Sequence, residues 1–343
     1  MNKKALIAMS GGVDSSAAAF LMKNQGFECS GATLKLHQGG TEENDAVEAA
    51  HKLGIPHHVF DFGKAFTDEV IKPFINAYEA GLTPNPCIFC NRSIKFGRLF
   101  LKARELNFDL LATGHYARIK QDPSGRWLLK KALDEKKDQS YVLYCLSQDQ
   151  LGHICFPLGD LRKDEVRTIA REQGLVNPEK QESQDICFIP NGDYGAFMEQ
   201  YTGKTYPPGD IINTEGKPIG RHRGLVRYTL GQRRGLGVAA NVPVYVVAKN
   251  SAANTVTLGA ESFLFGKTLI AQKINLIACD TLDKPLRLMV KTRYLQQEKA
   301  AMVTQTGPDE IRVEFEEGQR AITPGQAAVF YDGDTVVGGG TIV

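Results

Sequence analysis

Residues 4–16 have the sequence Lys4-Ala5-Leu6-Ile7-Ala8-Met9-Ser10-Gly11-Gly12-Val13-Asp14-Ser15-Ser16. The apolar run at the start is typical of a buried strand, and the paired glycines are typical of a turn that approaches a ligand closely. Residues 15–25 have helical character, with Gly26 as a stop signal. Because a helix start offers unpaired N–H groups and a positive dipole end, this unit predicts a nucleotide-phosphate site.

The polar residues of this turn leave some alternatives open. Ser10, Ser15 and Ser16 can add hydroxyl donors for a phosphate. Asp14 would repel a phosphate unless it holds a cation such as Mg²⁺ or orients the loop. The turn matches neither the Walker pattern nor the dinucleotide fingerprint. A glycine- and serine-rich turn without a ligand is the plainer alternative.

Strands and helices alternate after this unit. Further strands are predicted over residues 28–36, 57–62 and 108–113, and helices over residues 41–53 and 65–80. Thr41 can cap the first of these helices, and Pro73 predicts a kink in the second. The alternation, which continues to about residue 175, predicts a parallel sheet covered by helices on both faces.

The sequence changes character near residue 200. Short strands separated by glycine and proline turns are predicted over residues 244–248, 255–259, 286–292 and 311–315. These predict two small β-rich domains, the last of them a β-barrel. We therefore divide the chain into an α/β domain of residues 1–197, a central β-rich domain of residues 198–260 and a carboxyl-terminal barrel of residues 261–343.

Composition excludes several protein classes. The chain has 343 residues, 42% of them hydrophobic and 23% charged, which argues against a disordered chain or a collagen. No run approaches the ~20 apolar residues of a membrane helix, and the run before Ser10 is too short for an export signal. We therefore expect a cytoplasmic enzyme that does not bind membranes.

The seven cysteines predict thiol chemistry rather than a disulfide framework, because their number is odd and no export signal is found. Cys87 and Cys90 form a Cys-x-x-Cys pair in the proline-bracketed segment 83–91, and Cys187 lies in the polar segment 182–188. Such turn-rich surroundings favour reactive thiolates. A structural zinc site is less favoured because no second Cys-x-x-Cys exists. The other cysteines are expected to be small buried hydrophobes: Cys29, Cys145, Cys155 and Cys279.

A basic segment predicts an RNA or phosphate contact, although a solvated basic face is the alternative. Between residues 201 and 240 seven basic residues stand against two acids, whereas the whole chain carries only +2. Tyr228 and Tyr294 could stack on splayed bases, or they could be ordinary core or surface aromatics. The basic residues are Lys204, Lys217, Arg221, Arg223, Arg227, Arg233 and Arg234.

Together these segments resemble the bacterial tRNA-specific 2-thiouridylases, the MnmA family of the PP-loop ATP pyrophosphatase superfamily. The resemblance spans essentially the whole chain in the family's order. Its motifs are residues 10–16, 83–96, 112–118, 137–141, 182–188, 231–237, 291–294 and 324–326.

The resemblance implies an activity: ATP adenylates the C2 oxygen of uridine 34 of tRNA, and sulfur carried as a cysteine persulfide replaces it. It implies Cys90 as the nucleophile and Cys187 as the persulfide carrier. The expected partners are tRNAs for Glu, Gln and Lys and a cysteine desulfurase or small sulfur-relay protein, and Mg²⁺ is expected with ATP. The target base would have to be extruded from the anticodon stack.

The resemblance also assigns binding positions. The implied ATP contacts are Ala8, Met9, Ser10, Gly11, Gly12, Val13, Asp14, Ser15, Leu34 and Gly114. The implied contacts of the target base are Asn85, Pro86 and Cys87. The implied tRNA contacts are His115, Lys137, Asp138, Gln139, Arg293, Tyr294 and Gln326.

One residue departs from the family pattern, because the family has Asp where this chain has Cys87. The change creates a possible three-thiolate set of Cys87, Cys90 and Cys187, which resembles the [4Fe–4S] sites of related PP-loop tRNA thiolases. A cluster is therefore an alternative sulfur carrier to the persulfide. Another PP-loop adenylating ligase, which would need neither Cys90 nor Cys187, is the alternative enzyme.

Overall fold

The computed structural model of the chain describes residues 2–36, 42–175, 186–189, 192–239 and 241–343. Its amino-terminal part contains a five-stranded parallel sheet in the order β3-β2-β1-β4-β7. The strands up to this point are β1 (Lys4–Ala8), β2 (Glu28–Lys35), β3 (His57–Asp61), β4 (Leu110–Thr113), β5 (Arg118–Gln121), β6 (Trp127–Lys130) and β7 (Ile154–Cys155). The predicted parallel α/β sheet is confirmed.

Ten α-helices are described in these residues, and they cover both faces of the sheet, as predicted. They are α1 (Val13–Asn24), α2 (Glu42–Leu53), α3 (Gly63–Phe66), α4 (Lys72–Glu79), α5 (Pro86–Phe89), α6 (Phe100–Glu105), α7 (Ser140–Leu143), α8 (Gln148–Gly152), α9 (Lys163–Glu172) and α10 (Tyr194–Thr202). Ala5 and Ile7 pack with α1, α2 and α9, whereas Leu6 packs with α6, α7 and α8. Neighbouring residues of a strand point to opposite faces, so β1 contributes to both cores. The predicted cap Thr41 lies outside the described residues.

Two helical stretches contain π-helical segments. Thr67–Ile71 joins α3 to α4, and Cys90–Leu99 joins α5 to α6. At the kink predicted for Pro73, the helical stretch changes from π to α geometry. Pro73 lies in the first turn of α4. This position suits proline because the first turn of a helix needs no N–H donor. π-helical turns are frequent at functional sites.

The central part of the chain forms a four-stranded sheet in the order β10-β11-β8-β9. Its strands are β8 (Gly209–Ile212), β9 (Pro218–His222), β10 (Tyr245–Asn250) and β11 (Thr255–Gly259). Tyr228 is only 2% exposed and packs in this core beside Ile211 and Val246. The idea that Tyr228 stacks on RNA bases is therefore wrong, and it is a core aromatic residue.

The carboxyl-terminal part forms a closed six-stranded antiparallel barrel, as predicted. Closure comes from β12, which pairs with β15 on one side and with β17 on the other. Val290, Val303 and Ile311 fill its interior. The strands are β12 (Phe265–Leu276), β13 (Leu286–Lys291), β14 (Lys299–Gly307), β15 (Glu310–Arg320), β16 (Ala327–Asp332) and β17 (Thr335–Ile342). The three domain limits inferred from the sequence remain a prediction.

The barrel is attached to the α/β part by an interaction that the sequence did not predict. The β5–β6 hairpin extends the barrel sheet, since Lys130 of β6 pairs with Thr335 of β17. The Asp334 carboxylate forms ion pairs with Lys130 at 2.8 Å and with Arg118 at 3.0 Å. No described helix combines the length and apolar character needed to cross a membrane.

Gly339 is a contact point between the barrel and the α/β part. A Cβ atom there would lie 2.7 Å from Cδ2 of Tyr144 and 2.8 Å from the carbonyl oxygen of Ala328. We expect Gly339→Ala to lower the free energy of unfolding by about 1–3 kcal/mol, because overpacking forces neighbouring groups to move. Urea unfolding measures this change. Gly307→Ala in β14, where the nearest atom is 3.7 Å away, is the control, and equal stability of the two variants would contradict the prediction.

Candidate active site

The turn between β1 and α1 is shaped by its own serines. Gly11 has a φ of 73°, a conformation that favours glycine. Gly12 is the N-cap residue of α1, so no side chain caps the N–H groups of the first turn. The hydroxyls of Ser15 and Ser16 both donate to the carbonyl oxygen of Gly12 at 3.0 Å. These two hydroxyls therefore hold the turn in shape, and the backbone N–H groups at the start of α1 are the donors left for a ligand.

Asp14 is held in a polar contact that joins three distant parts of the chain. Lys163 of α9 donates to its two carboxylate oxygens at 2.7 and 2.8 Å, and the Tyr116 hydroxyl donates to it at 2.7 Å. The Lys163 side chain is almost fully buried. A protein cation thus neutralises Asp14, which fits the loop-orienting alternative better than direct coordination of Mg²⁺.

A cavity of about 330 Å³ opens beside this turn. The residues implied as ATP contacts that line it are Ala8, Met9, Ser10, Asp14, Ser15, Leu34 and Gly114. Gly11, Gly12 and Val13 lie in the adjoining turn and helix start but do not line the cavity. A Cβ at Gly114 would stand 2.9 Å from the backbone nitrogen of Ser15, so only glycine lets the two segments come this close.

Two residues implied as tRNA contacts lie at the same cavity, His115 and Gln139. His115 is buried, and its Nδ1 lies 2.7 Å from Oγ1 of Thr113. Burial, helped by the positive charge of Lys95, holds the His115 pKa well below its usual value, which leaves the ring neutral. Gln139 exchanges two hydrogen bonds with the backbone of Tyr116, at 2.9 and 2.8 Å.

The two thiols implied in catalysis belong to one region of the structure. Cys187 is exposed and lines the cavity. Cys90 is 8% exposed and lies in an apolar cluster against which Ile186 and Phe188, the neighbours of Cys187, also pack. The fold thus brings together segments that are almost a hundred residues apart in the sequence. The remainder of the Cys187 motif, residues 182–185, lies outside the described residues.

Opposing effects act on the thiols of Cys87 and Cys90. The surrounding protein raises both pKa values because it removes water from the thiolate form, and the positive charge of Lys95 lowers them. Cys87 is the more exposed residue, and its thiolate would further raise the pKa of Cys90. The reactivity of Cys87 and Cys90 therefore depends on the positive charge of Lys95. The polar sequence around the two cysteines does not by itself indicate this dependence.

Lys95 and Lys163 belong to the site, although no sequence pattern assigned either residue to it. Lys95 lines the cavity and lies five residues after Cys90 in the π-helical segment, whose wider turns bring residues five apart to the same side. No local pattern indicates π geometry in advance. Lys163 pairs with a residue 149 positions away, and nothing in its own neighbourhood pointed to the site.

The residues implied as base contacts are joined to the barrel. Asn85 caps α5 by accepting a hydrogen bond from the Cys87 N–H at 3.0 Å, and Pro86 occupies the first turn. Nε2 of Gln326 donates to the carbonyl oxygen of Thr83 at 2.7 Å. The Thr83 N–H in turn donates to the carbonyl oxygen of Pro324 at 3.0 Å. The barrel thus helps to fix the segment that carries Cys87.

Arg293 and Tyr294 lie between the barrel and this segment. Arg293 donates to the Leu230 carbonyl oxygen at 2.8 Å and also to the Thr323 hydroxyl. Burial, with smaller contributions from the charges of Asp138 and Cys87, raises the pKa of Tyr294 to about 12. Tyr294 also packs against the core cluster that contains Ile88, the residue after Cys87.

Asp138 stabilises the loop that also carries Lys137. Its carboxylate accepts the N–H of Ala132 at 3.0 Å and the hydroxyl of Ser140 at 2.7 Å. These bonds hold the loop beside Tyr294. Any contact of this loop with tRNA therefore involves a carboxylate that already has partners within the protein.

Among the residues that the structure describes, the cysteines are not grouped as a metal site. Within the described ranges, which include Cys87, Cys90 and Cys187, no three His, Cys, Asp or Glu residues come together as possible ligands. The [4Fe–4S] alternative therefore does not fit the arrangement of these thiols. Of the remaining cysteines, Cys29 is buried, and Cys145, Cys155 and Cys279 are partly buried.

The basic segment is partly neutralised by acids elsewhere in the chain. Lys204 pairs with Glu79 at 2.8 Å, and Arg227 pairs with Asp193 and Glu199 at 3.2 and 2.7 Å. The other basic residues of the segment are exposed: Lys217, Arg221, Arg223, Arg233 and Arg234. The exposed group is the part that remains suited to phosphate binding.

We expect Lys95→Met to raise the pKa of the Cys90 thiol, because the substitution removes the positive charge that favours the thiolate. Less thiolate would then be present at any pH below that pKa, and the pH profile of alkylation would move to higher pH. Iodoacetamide labelling of Cys90 across a pH series, read by mass spectrometry, measures the shift. Lys102→Met is the control, since Lys102 pairs with Glu105 on α6. Superimposable profiles for Lys95→Met and the unmodified protein would refute the role of Lys95.

Three family models match successive parts of the chain. A family model described as the tRNA methyl transferase HUP domain matches residues 3–191. A model described as the tRNA methyl transferase PRC-barrel domain matches residues 195–260, and the aminomethyltransferase beta-barrel domain matches residues 266–342.

Full-length relatives give the same result. The chain is 47% identical to the tRNA-specific 2-thiouridylase MnmA of Clostridioides difficile, over 100% of this chain and 98% of that protein. It is 45% identical to the protein of the same name from Acetivibrio thermocellus, over 99% of each. The identity extends over all three parts of the chain, and the chain therefore belongs to the tRNA-specific 2-thiouridylase (MnmA) family.

Proposed function

We propose that this protein catalyses the ATP-dependent 2-thiolation of uridine 34 in tRNA. The observation that carries the proposal is that Cys187 lines the same cavity as the glycine-rich turn. Activation of an oxygen by ATP and its replacement by sulfur need a nucleotide site and a sulfur carrier side by side. This chain has both, with Cys90 in the adjoining apolar cluster.

The first step is adenylation. The C2 oxygen of the uridine attacks the α-phosphorus of ATP, pyrophosphate leaves, and C2 then carries AMP as a good leaving group. The N–H groups at the start of α1 suit the phosphates, and Lys95 supplies a positive charge in the same cavity. Mg²⁺, if bound, would be held mainly by the phosphates of ATP and would offset their negative charge, since Asp14 is already paired with Lys163.

The second step is sulfur transfer. The terminal sulfur of a Cys187 persulfide attacks C2. The bond between C2 and its oxygen then breaks, and AMP leaves with that oxygen. The Cys90 thiolate then attacks the Sγ atom of Cys187, which breaks the sulfur–sulfur bond and releases the C2 thiocarbonyl. A Cys90–Cys187 disulfide remains, and a dithiol reductant returns both residues to thiols.

The burial of Cys90 supports extrusion of the base. Cys90 is only 8% exposed, so a uridine stacked within an RNA loop would not reach it. Enzymes that act on a base move it out of the stack into a pocket. The segment Asn85–Cys87, with Tyr294 close by, is the expected site for the extruded ring.

The remaining contacts are assigned by the same proposal. Residues 1–197 carry out the chemistry in the cytoplasm, while residues 198–260 and 261–343 hold the body of a tRNA for Glu, Gln or Lys. The exposed arginines of the central part and Lys137 face phosphates, and His115, Gln139, Arg293 and Gln326 support the RNA-binding surface. The exposure of Cys187 suits delivery of sulfur by a cysteine desulfurase or a small relay protein.

Replacement of either catalytic thiol provides the main test. With defined tRNA, Mg-ATP and a sulfur source, we expect Cys90→Ser and Cys187→Ser to abolish 2-thiouridine formation, because a hydroxyl neither carries nor releases sulfane sulfur. Mass spectrometry of digested tRNA measures the product. Cys279→Ser, at a partly buried cysteine of the barrel part, is the control and should keep normal activity. Normal thiolation by both variants would reject the relay through Cys90 and Cys187, whereas absence of 2-thiouridine with the unmodified protein would favour another PP-loop adenylating ligase.

Cys87 distinguishes the persulfide from the cluster as sulfur carrier. We expect Cys87→Ser to keep thiolation within about tenfold of the unmodified protein (~1.4 kcal/mol), because the relay uses only Cys90 and Cys187. A three-cysteine cluster would instead be lost with Cys87, and activity with it. The measurement combines thiolation with iron analysis of protein prepared without oxygen. Thiolation that disappears together with bound iron in the variant would reject the relay.

A further inference from the structure

The turn between β13 and β14 presents the most exposed large apolar side chain among the described residues. Leu295 is 93% exposed, and the next in rank, Val242, is 65% exposed. One exposed leucine is common on protein surfaces and has no meaning by itself. Its position in the fold and the way in which the turn is held give it significance.

The turn that carries Leu295 is firmly braced beneath its tip. The Thr292 hydroxyl donates to Oε1 of Gln296 at 2.7 Å, and the buried Gln319 side chain donates to both residues at 3.0 Å. The Gln296 side chain also donates to the carbonyl oxygen of Arg320 at 3.0 Å. The polar groups on both sides of Leu295 are thus fixed to the barrel, while its own side chain points away from any core.

This tip lies beside the segment expected to hold the target base. Tyr294, the preceding residue, packs against the core cluster that contains Ile88 of α5, and its ring centroid lies 6.1 Å from that of Tyr141. Nζ of Lys291 lies 5.8 Å from the Tyr294 ring centroid. An apolar residue is therefore held on a rigid support, next to positive charge and to the base site.

We propose that Leu295 enters the anticodon stack and occupies the space that the target uridine leaves when it is extruded. The inference rests on the function proposed above. Removing a base from its stack costs a few kcal/mol, and proteins that open a stack commonly insert an apolar side chain at the opened step. Leu295 has the required apolar character and exposure. It is a residue that positions the RNA, with no part in the bond-making steps.

The test compares Leu295→Ala with Leu295→Met and with Leu101→Ala. Leu101 is 60% exposed on α6 and serves as the matched control. With the full tRNA we expect Leu295→Ala to lower kcat/KM for thiolation about tenfold, because the opened step of the stack would lose its apolar support. Leu295→Met, which keeps an apolar side chain of similar size, should retain most of the rate, and Leu101→Ala should have no effect.

Two modified RNAs make the test specific for stacking. With 2-aminopurine on the 3′ side of the target uridine, binding of the unmodified protein should change the fluorescence, and Leu295→Ala should diminish that change. With an abasic site at the same position no neighbouring base remains to be supported, so the defect of Leu295→Ala in thiolation should disappear.

The outcomes separate this inference from the proposed function. If the unmodified protein forms no 2-thiouridine in any tRNA, the proposed function fails, and the role of Leu295 fails with it. If the unmodified protein thiolates tRNA and Leu295→Ala does so equally well, only the role of Leu295 is overturned. A defect of the same size on the abasic RNA would likewise overturn it, because the loss would not depend on stacking.

Discussion

The ion pair between Asp14 and Lys163 is the contact on which the geometry of the site depends. A carboxylate in a phosphate-binding turn would repel its ligand, and burial of an unpaired lysine would cost several kcal/mol. The pair resolves both problems, and it connects the first helix to α9 and, through the Tyr116 hydroxyl, to the end of β4. Gly114 allows β4 to come close enough for this arrangement. With Asp14 neutralised by the protein, the N–H groups of the turn are left to face an anion.

The thiols illustrate a second balance, between burial and charge. Cys90 lies in an apolar cluster, where desolvation favours the neutral thiol, and Lys95 counters this effect from the edge of the nucleotide cavity. The same lysine also disfavours protonation of His115. A single positive charge thus acts on both the nucleotide side and the sulfur side of the site. In the proposed mechanism, a phosphate bound near Lys95 would weaken the effect of Lys95 on the thiols, and release of pyrophosphate would restore it. This would give a physical reason for adenylation to precede sulfur release.

The sequence was most informative where structure depends on local pattern. The strand, turn and helix around Ser10 to Ser16 follow from apolar runs and glycines, and the barrel strands follow from alternation between turn residues. Contacts between distant segments could not be predicted in this way. Lys163 meets Asp14 only because α9 packs on α1, and Lys130 pairs with Thr335 only because a hairpin of the α/β part extends the barrel. No sequence signal indicates the π geometry after Cys90. Tyr228 is an aromatic residue in a basic segment, which suggested base stacking, but it is buried in the core of the central sheet.

Hydrogen bonds between the barrel and the α/β part fix the segment that carries Cys87. The barrel contributes Gln326 and Pro324, which hold Thr83, and Thr83 leads directly into the segment of Asn85 and Cys87. A cap on α5 by Asn85 then sets the direction of the helix that carries Cys90. The position of Cys90, the proposed nucleophile, is therefore coupled to the barrel through a short series of hydrogen bonds. Because the turn after β13 belongs to the same barrel, an RNA that presses on this turn acts on the element that positions the base segment. Separate domains joined by a loose linker would lack that coupling.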